Sequence, residues 1–291
     1  MFGIVYNPVS GDGKGKRLAE SVRSILEARG ETVRMYESLG VGQPAVLAEQ
    51  AANEGCTSLV CLGGDGTLSE IVGAVVAHAL ILYIVPTGTG NDFARFLGLP
   101  KDPMEAFQTQ IDGTLQLYDC GKINDKVFIN ISGSGFDVDV LVKTEEFKAI
   151  YPGEKAYTKA LLAVIRNYQP FSYSLSLDGA PFEERKSTII EVANGQYFGG
   201  GMRVAPGADA QDGFFDVIIV RNVPKVLMPI LLPLFVFGLH VRVGIAKRIR
   251  AQQVKIRAKN MTVNIDGRLE KMDEAEFVIL PGKLRLHLPS K

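Results

Sequence analysis

The first 120 residues alternate between short apolar segments and amphipathic segments. The apolar segments predict strands, and apolar positions three or four residues apart in the segments between them predict helices. In chain order the predicted elements are strand Phe2–Tyr6, helix Lys16–Arg29, strand Glu31–Glu37, helix Pro44–Glu54, strand Ser58–Leu62, helix Thr67–His78, strand Leu80–Val85 and helix Asp92–Leu97. This alternation indicates a parallel sheet covered by helices on both faces, which is a three-layer α/β domain.

Beyond residue 120 the apolar and polar positions alternate with a period of two, which is typical of strands with one buried face. The segments with this pattern are Lys126–Ser132, Ser172–Leu177, Thr188–Ala193, Phe215–Arg221, Gln253–Ala258, Thr262–Asp266, Glu276–Leu280 and Leu284–Leu288. Turn sequences at Asp178-Gly179, Asp212-Gly213 and Pro281-Gly282 separate some of them, and one helix is predicted at Lys155–Asn167. The pattern predicts a mostly antiparallel, sandwich-like β-domain.

A chain of 291 residues is long for one domain, and the change of pattern sets the expected boundary. Residues 1–122 are expected to form the α/β domain and residues 123–280 the β-rich domain. The last strand, in residues 281–291, can belong to the second domain or return to the first, and the sequence leaves both open.

Composition narrows the class of protein. The chain has 32 basic and 32 acidic residues, so its net charge gives no general attraction for nucleic acid. Its three cysteines lack the spacing of metal ligands, which fits free thiols in a reducing cytoplasm. The N-terminal sequence does not have the pattern of a signal peptide, so a cytoplasmic location is expected.

Three glycine-rich loops follow predicted strands. They are Asn7-Pro8-Val9-Ser10-Gly11, Gly63-Gly64-Asp65-Gly66-Thr67 and Pro86-Thr87-Gly88-Thr89-Gly90-Asn91-Asp92. Ligands of parallel sheets bind beyond the carboxyl ends of the strands, so the three loops can converge on one edge. Glycine lets a phosphate approach the backbone, and the following helix N-termini favour anions. The loops predict a phosphate-binding site, although no Walker A motif is present.

Individual residues of the second loop suggest the chemistry. Asp65 supplies a carboxylate where Mg²⁺ would bridge phosphates. Thr67 and Glu70 fit a helix capping box, and Glu70 can serve capping, function or both.

One uncharged apolar segment, Val226–Leu239, is shorter than the roughly 20 residues that span a bilayer, and two prolines interrupt it. The stretch Val241–Asn260 then carries seven basic residues and no acid: Arg242, Lys247, Arg248, Arg250, Lys255, Arg257 and Lys259. An apolar segment beside a basic one suits peripheral docking on anionic lipid. A core helix followed by solvated strands is the alternative.

The three loops in this order resemble the catalytic fold of diacylglycerol kinases, which soluble bacterial lipid kinases and sphingosine kinases share. The second half agrees at Asn194–Gly201, at Ala205-Pro206 and at Asp212-Gly213-Phe214, so the resemblance covers nearly the whole chain. Gly-Gly-Asp-Gly alone also occurs in NAD kinases and phosphofructokinases, but the set of three loops is more specific. The resemblance implies an enzyme that uses ATP and Mg²⁺ to phosphorylate a lipid hydroxyl, most simply diacylglycerol to phosphatidic acid.

The resemblance also implies residue roles. The nucleotide site would comprise Asn7, Pro8, Ser10, Gly11, Ser38, Gly63, Gly64, Asp65, Gly66, Thr67, Glu70, Gly88, Thr89, Asn91 and Asp92. Asp65 and Asp92 would organise the catalytic Mg²⁺. A second, structural Mg²⁺ would be bound by the Asp212 carboxylate with the carbonyls of Asp209 and Phe214, unless Asp212-Gly213 is an ordinary turn. The family also suggests a lipid acceptor at a membrane surface and a homodimer.

The sequence departs from the family at the proton acceptor. The family has a glutamate in an Asp-Gly-Glu triplet near the C-terminus, and this chain has Asp266-Gly267-Arg268. An arginine cannot act as a base, so Asp266 and Glu270 are the candidates. Asp266 is favoured, because Glu270 lies about 6.5 Å beyond position 268 along an extended strand. Two alternatives remain open: a NAD kinase-like enzyme acting on a soluble hydroxyl, and a nucleotide-binding protein with little turnover.

Overall fold

The computed structural model of the chain describes residues 1–151 and 154–289. In chain order its elements are β1 (Phe2–Tyr6), α1 (Ser10–Gly13), α2 (Gly15–Ala28), β2 (Val33–Glu37), α3 (Gln43–Asn53), β3 (Ser58–Gly63), α4 (Asp65–Ala77), β4 (Ile81–Pro86), α5 (Asp92–Phe96), α6 (Pro103–Ile111), β5 (Thr114–Ile123), β6 (Lys126–Phe128), β7 (Ile131–Gly135), α7 (Phe136–Lys148), α8 (Glu154–Arg166), β8 (Phe171–Leu177), β9 (Glu183–Ala193), β10 (Phe215–Arg221), α9 (Met228–Val236), β11 (Ala246–Ala251), β12 (Gln253–Ile265) and β13 (Arg268–Leu288).

The N-terminal half is a parallel sheet between two layers of helices. Its strands lie in the order β2-β1-β3-β4, followed by the end of β13. Helices α2 and α6 cover one face, where Val22 and Leu26 are fully buried against Ile4. Helices α3 and α4 cover the other face. The predicted three-layer α/β domain is confirmed.

The C-terminal half is built from antiparallel strands. Strands β7 to β12 and the first part of β13 pair with antiparallel neighbours throughout. Phe128 lies at the centre of their core, stacked on Phe215 at 5.6 Å between ring centroids and edge-on to Phe277 at 5.9 Å. The predicted, mostly antiparallel β-domain is confirmed.

Strand β13 belongs to both halves. Its first part pairs with β12, its middle and end pair with β5, and Arg285 and Leu286 pair with Ile81 and Leu82 of β4. The register against β5 shifts between Leu280 and Leu284. The predicted turn at Pro281-Gly282 is therefore wrong: these residues form a bulge inside one continuous strand.

The prediction of a single helix in the second half is also wrong, because α7 and α9 flank α8 in sequence. Phe136–Lys148 reads Phe-Asp-Val-Asp-Val at its start, and this alternation of apolar and acidic residues mimics a strand. The helix forms because packing against β7, β9 and α8 outweighs the low helix propensity of valine.

A buried aspartate fixes the bulge. Asp119 of β5 is 3% exposed, and its two carboxylate oxygens accept the N–H groups of Gly282, at 2.8 Å, and Gly213, at 2.7 Å. Its own N–H donates to Ala210 O at 2.6 Å. One side chain thus joins the bulge of β13 to the turn that precedes β10.

Replacing this aspartate should destabilise the protein. Asp119→Ala leaves two partly buried N–H groups without acceptors, and we expect a loss of about 3 kcal/mol in the free energy of unfolding. Urea denaturation measures it, with the exposed Asp125→Ala as the matched control. A loss no larger than that of the control would show that the bulge does not depend on Asp119.

Candidate active site

The second and third glycine-rich loops lie against each other. The N–H of Thr87 donates to Gly63 O at 3.0 Å, and a Cβ on Gly88 would lie 2.6 Å from the Cα of Gly64. Side chains cannot occupy that space, so glycine is needed at both contact positions. The Asn91 side chain closes the third loop by exchanging two hydrogen bonds with the main chain of Gly88, at 2.7 and 3.0 Å.

The first loop meets the third. The hydroxyl and the N–H of Ser10 both donate to Asn7 O, at 2.8 and 3.1 Å, which holds the chain in a tight turn after β1. Gly11 has a φ of +59° and lies beside Thr87, where a Cβ would be 3.5 Å from the threonine Cβ. The Thr87 hydroxyl is buried and has no hydrogen-bond partner among the described residues. The structure therefore brings all three loops together.

Two carboxylates lie where the second and third loops meet. Asp65 begins α4, and its Oδ1 accepts the N–H of Phe93 at 3.3 Å. Asp92 begins α5 and is 5% exposed; its Oδ2 accepts the N–H of Gly200 at 2.8 Å, while its Oδ1 has no hydrogen-bond partner in the described chain. Burial raises the pKa of Asp92, and the nearby Asp65 carboxylate raises it further.

A third carboxylate reaches the same cavity from the β-domain. Asp266 lines it together with Asp65 and Asp92. Its two oxygens accept N–H groups from three consecutive residues, Ile129 to Ile131, at 2.7, 3.0 and 3.1 Å. Burial raises the pKa of Asp266 to about 6, and these hydrogen bonds oppose the rise. We call this space the acidic cavity.

The second candidate base lies elsewhere. Both oxygens of Glu270 bind Lys126 Nζ, and Glu270 is not among the residues that line the acidic cavity. Arg268 lines a separate depression beside Ser69 and Glu70 of α4. Of the two candidates, the structure places only Asp266 in the cavity.

The other predicted residues lie around the loops. The capping box is wrong, because α4 begins at Asp65 with Gly64 as its N-cap, so Thr67 lies inside the first turn. Glu70 instead accepts the N–H of Gly42 at 2.8 Å and holds the segment after β2 against α4.

Ser38 is buried at the end of β2 and donates its hydroxyl to Gly40 O at 3.3 Å, while Thr89 is exposed at the tip of the third loop. Neither side chain lines the acidic cavity. Their predicted contacts with a nucleotide stay predictions.

The acidic cavity suits a divalent cation. The Asp92 Oδ1 is buried and accepts no hydrogen bond in the described chain; Arg95 Nε lies 3.9 Å from it, beyond hydrogen-bond distance, and the Asp65 carboxylate lies close enough to raise the pKa of Asp92. A buried acceptor without a donor needs a partner, and Mg²⁺ prefers carboxylate oxygens. Asp65 and Asp92 therefore fit this ion.

The predicted structural Mg²⁺ site looks different. Asp212 Oδ2 pairs with Arg250 at 2.6 Å, and that guanidinium lies 4.4 Å over the Phe214 ring. Asp209 Oδ1 accepts the N–H of Gln211 at 3.0 Å. Within residues 1–151 and 154–289 no three carboxylate, histidine or cysteine side chains are grouped to hold a metal. Arginine already neutralises Asp212, so these residues do not call for an ion, and the second site stays a prediction.

Two lining residues of the acidic cavity with polar side chains were missed. Asn130 donates its amide to Tyr197 O at 2.8 Å and leaves its Oδ1 without a partner, and the buried Ser69 hydroxyl has none in the described chain either. Ser69 could have been found, because it follows Asp65 by four residues and shares its helix face. Asn130 has no comparable signal, since it reaches the cavity from a distant strand connection.

An apolar cavity adjoins the acidic one. Its walls come from α7, α8, β9 and α9, and it shares Leu141, Phe198 and Gly199 with the acidic cavity. Met228, Leu231 and Phe235 of α9 line it. The two cavities are therefore continuous at one wall.

The outer face of α9 is apolar and open. Ile230 is 69% exposed and Phe237, just beyond the helix, is also 69% exposed. No helix in the described part of the chain is both long and apolar enough to cross a bilayer.

Four of the seven basic residues that follow are paired with acids: Arg248 with Asp216, Arg250 with Asp212, Lys255 with Glu276 and Arg257 with Glu274. The basic stretch is thus largely compensated, although Arg242 and Lys247 are exposed.

Comparison with known proteins assigns the chain to a family. Residues 1–123 match the diacylglycerol kinase catalytic domain, and residues 130–288 match the YegS C-terminal NAD kinase beta sandwich-like domain. The chain belongs to the diacylglycerol kinase family of lipid kinases. Membership of this family implies the use of ATP.

Relatives agree over nearly the full length. A Pseudomonas fluorescens protein named "Probable lipid kinase YegS-like" is 32% identical, over 94% of this chain and 92% of its own. A Mycobacterium tuberculosis diacylglycerol kinase is 29% identical, over 97% and 93%. A crystal structure described as a diacylglycerol kinase from Bacillus anthracis has a TM-score of 0.74 at 20% identity, over 99% of this chain and 96% of its own. This last likeness supports the fold.

Proposed function

We propose that this protein transfers the γ-phosphoryl group of ATP to the hydroxyl of a membrane lipid, with Mg²⁺ as cofactor. The observation that supports this most is the junction of the acidic cavity with the apolar cavity. A lipid hydroxyl could lie at the carboxylates while its chain fills the apolar space. Diacylglycerol, which would give phosphatidic acid, is the acceptor to test first, because several relatives are named diacylglycerol kinases.

The chain's own residues would share the work of phosphoryl transfer. Backbone N–H groups of the three loops would bind the phosphates, and Asp65 and Asp92 would hold Mg²⁺. When bound, the ion supplies positive charge to the transferring group. The protein's part is to position the lipid hydroxyl and to accept its proton.

Asp266 is our proposed proton acceptor. A carboxylate has about four acceptor sites, and the three N–H bonds to Asp266 leave one free. With a pKa of about 6 it is ionised near pH 7, where its proton affinity is higher than that of an ordinary aspartate.

A nucleotide-binding protein with little turnover is the second candidate. It is favoured by Arg268, which stands where the family has its glutamate, and by the pairing of Glu270 with Lys126, outside the acidic cavity. A NAD kinase-like activity is disfavoured by the apolar cavity, which a soluble acceptor would leave empty. Phosphoryl transfer from ATP to diacylglycerol vesicles, compared with transfer to NAD, separates the three.

Removing the carboxylate of Asp65 should abolish most transfer. For Asp65→Asn we expect a loss of about a hundredfold or more in kcat, because the cation loses a ligand. The measurement is radiolabel transfer from ATP to diacylglycerol in mixed micelles, with Asp125→Asn as the control. Full activity in Asp65→Asn would refute the proposed role of the acidic cavity.

The rate of transfer should fall at acid pH. Asp266 is ionised above its pKa of about 6 and becomes protonated as the pH falls through that value. A protonated carboxyl cannot accept the hydroxyl proton, so kcat should drop by about tenfold per pH unit below 6. ATP binding, measured in parallel at pH 5.5, should persist. A rate that stays level from pH 7.5 to 5.5 would exclude Asp266 as the base.

We also propose that the open face of α9 contacts the membrane that presents the lipid. An apolar face beside exposed cations suits the surface of an anionic bilayer. Ile230→Asp should lower binding to phosphatidylglycerol vesicles by about tenfold in sedimentation assays. Val46→Asp is the matched control, since Val46 is 67% exposed on α3. Equal binding by both variants would remove α9 from the contact.

A further inference from the structure

Two carboxyl groups lie inside the apolar cavity, apart from the three of the acidic cavity. Asp137 is in the first turn of α7, Glu191 is on β9, and the two side chains contact each other. Both line the apolar cavity, and none of its described lining residues is a lysine, arginine or histidine. The pair therefore has no cationic partner among these residues.

The surroundings leave room for the pair. Gly133 of β7 is the direct strand partner of Glu191, and a Cβ there would collide with Glu191 Oε2. Glycine at this position thus makes space for a carboxylate rather than for an apolar side chain.

The pair is left with unused acceptors. Both Asp137 oxygens and Glu191 Oε2 are buried and accept no well-aligned hydrogen bond from a donor in the described residues, although the backbone N–H groups of Asp137 and Val138 lie close enough to lower the pKa of Asp137. Burial, together with the charge of Asp137, raises the pKa of Glu191 well above its usual value, so the two groups share a proton. One shared proton satisfies only part of this acceptor capacity. The remaining acceptors need donors from water or from a ligand that displaces it.

The pair lies close to the proposed site of transfer. Gly133, beside Glu191, is two residues from Ile131, whose N–H binds Asp266. Two strand residues span about 6.5 Å, which is comparable to the size of a glycerol headgroup. A lipid with its reacting hydroxyl at Asp266 could present a neighbouring polar group to the pair.

We propose that the Asp137–Glu191 pair binds a hydrogen-bond donor, a hydroxyl or an amino group, that the acceptor lipid carries beside the hydroxyl to be phosphorylated. The inference rests on the proposed lipid kinase function and narrows its acceptor. Diacylglycerol carries two esters beside its hydroxyl, and esters only accept hydrogen bonds. Lipids with a second donor should therefore be bound better than diacylglycerol.

Binding without ATP tests the pair separately from catalysis. The probes are 1-O-octadecylglycerol, its 2-O-methyl ether and its 2-amino analogue, in mixed micelles with the full chain. We expect the uncapped alcohol or the amine to bind about tenfold more tightly than the methyl ether, because the ether has lost the donor. Whichever of the alcohol and the amine binds more tightly identifies the preferred donor.

Variants connect this preference to the pair. Glu191→Leu should reduce the tenfold ratio to about twofold or less. Glu191→Gln keeps the shape of the side chain and serves as the second variant if leucine disturbs folding. Asp139→Asn is the matched control, since Asp139 is on the same helix and lines a different groove; it should keep the ratio. Thermal unfolding checks that each variant is folded.

Two results would overturn the proposed role of the Asp137–Glu191 pair: a wild-type ratio within twofold, or a tenfold ratio retained in both Glu191 variants. Absence of phosphoryl transfer to every lipid would refute the proposed function but not this binding preference. Transfer that proceeds with no preference for a second donor would refute the pair alone.

Discussion

The bulge in β13 is the constraint on which the candidate site depends. This strand carries the sheet from the β-domain into the α/β domain, and it can pair with β12, β5 and β4 only because its register shifts between Leu280 and Leu284. The buried Asp119 carboxylate holds the bulge through the N–H of Gly282. Asp266 lies two residues before the start of β13, so its position relative to Asp65 depends on how this strand joins the two domains.

Electrostatics then decides what the site can hold. Asp65, Asp92 and Asp266 come from both domains into one cavity, and burial raises the pKa of the latter two. Such an arrangement is costly unless cations or donors compensate the carboxylates. The neighbouring glycine-rich loops precede helix N-termini, which favour anions. Under the proposed function, a phosphate with its cation would satisfy both sets of groups.

The sequence was most informative where a local backbone constraint is strict. The close contact of Gly64 with Gly88 tolerates no side chain, so the glycine pattern located the loops correctly. Sequence reasoning failed where distant residues decide a side chain's partner. The capture of Glu270 by Lys126 and of Asp212 by Arg250 joins residues far apart in the chain, and no spacing rule predicts either ion pair.

The arginine that replaces the family glutamate has a physical consequence in this setting. Burial raises the pKa of Asp266, the three N–H bonds oppose that rise, and the charge of Arg268 lowers the pKa by a smaller amount. A glutamate at that position would add negative charge and favour the protonated aspartate instead. Arginine therefore helps to keep Asp266 ionised near neutral pH, which is the state that a proton acceptor needs. The substitution and the proposed role of Asp266 are consistent with each other, because Arg268 favours the ionised form of the residue that we propose as the base.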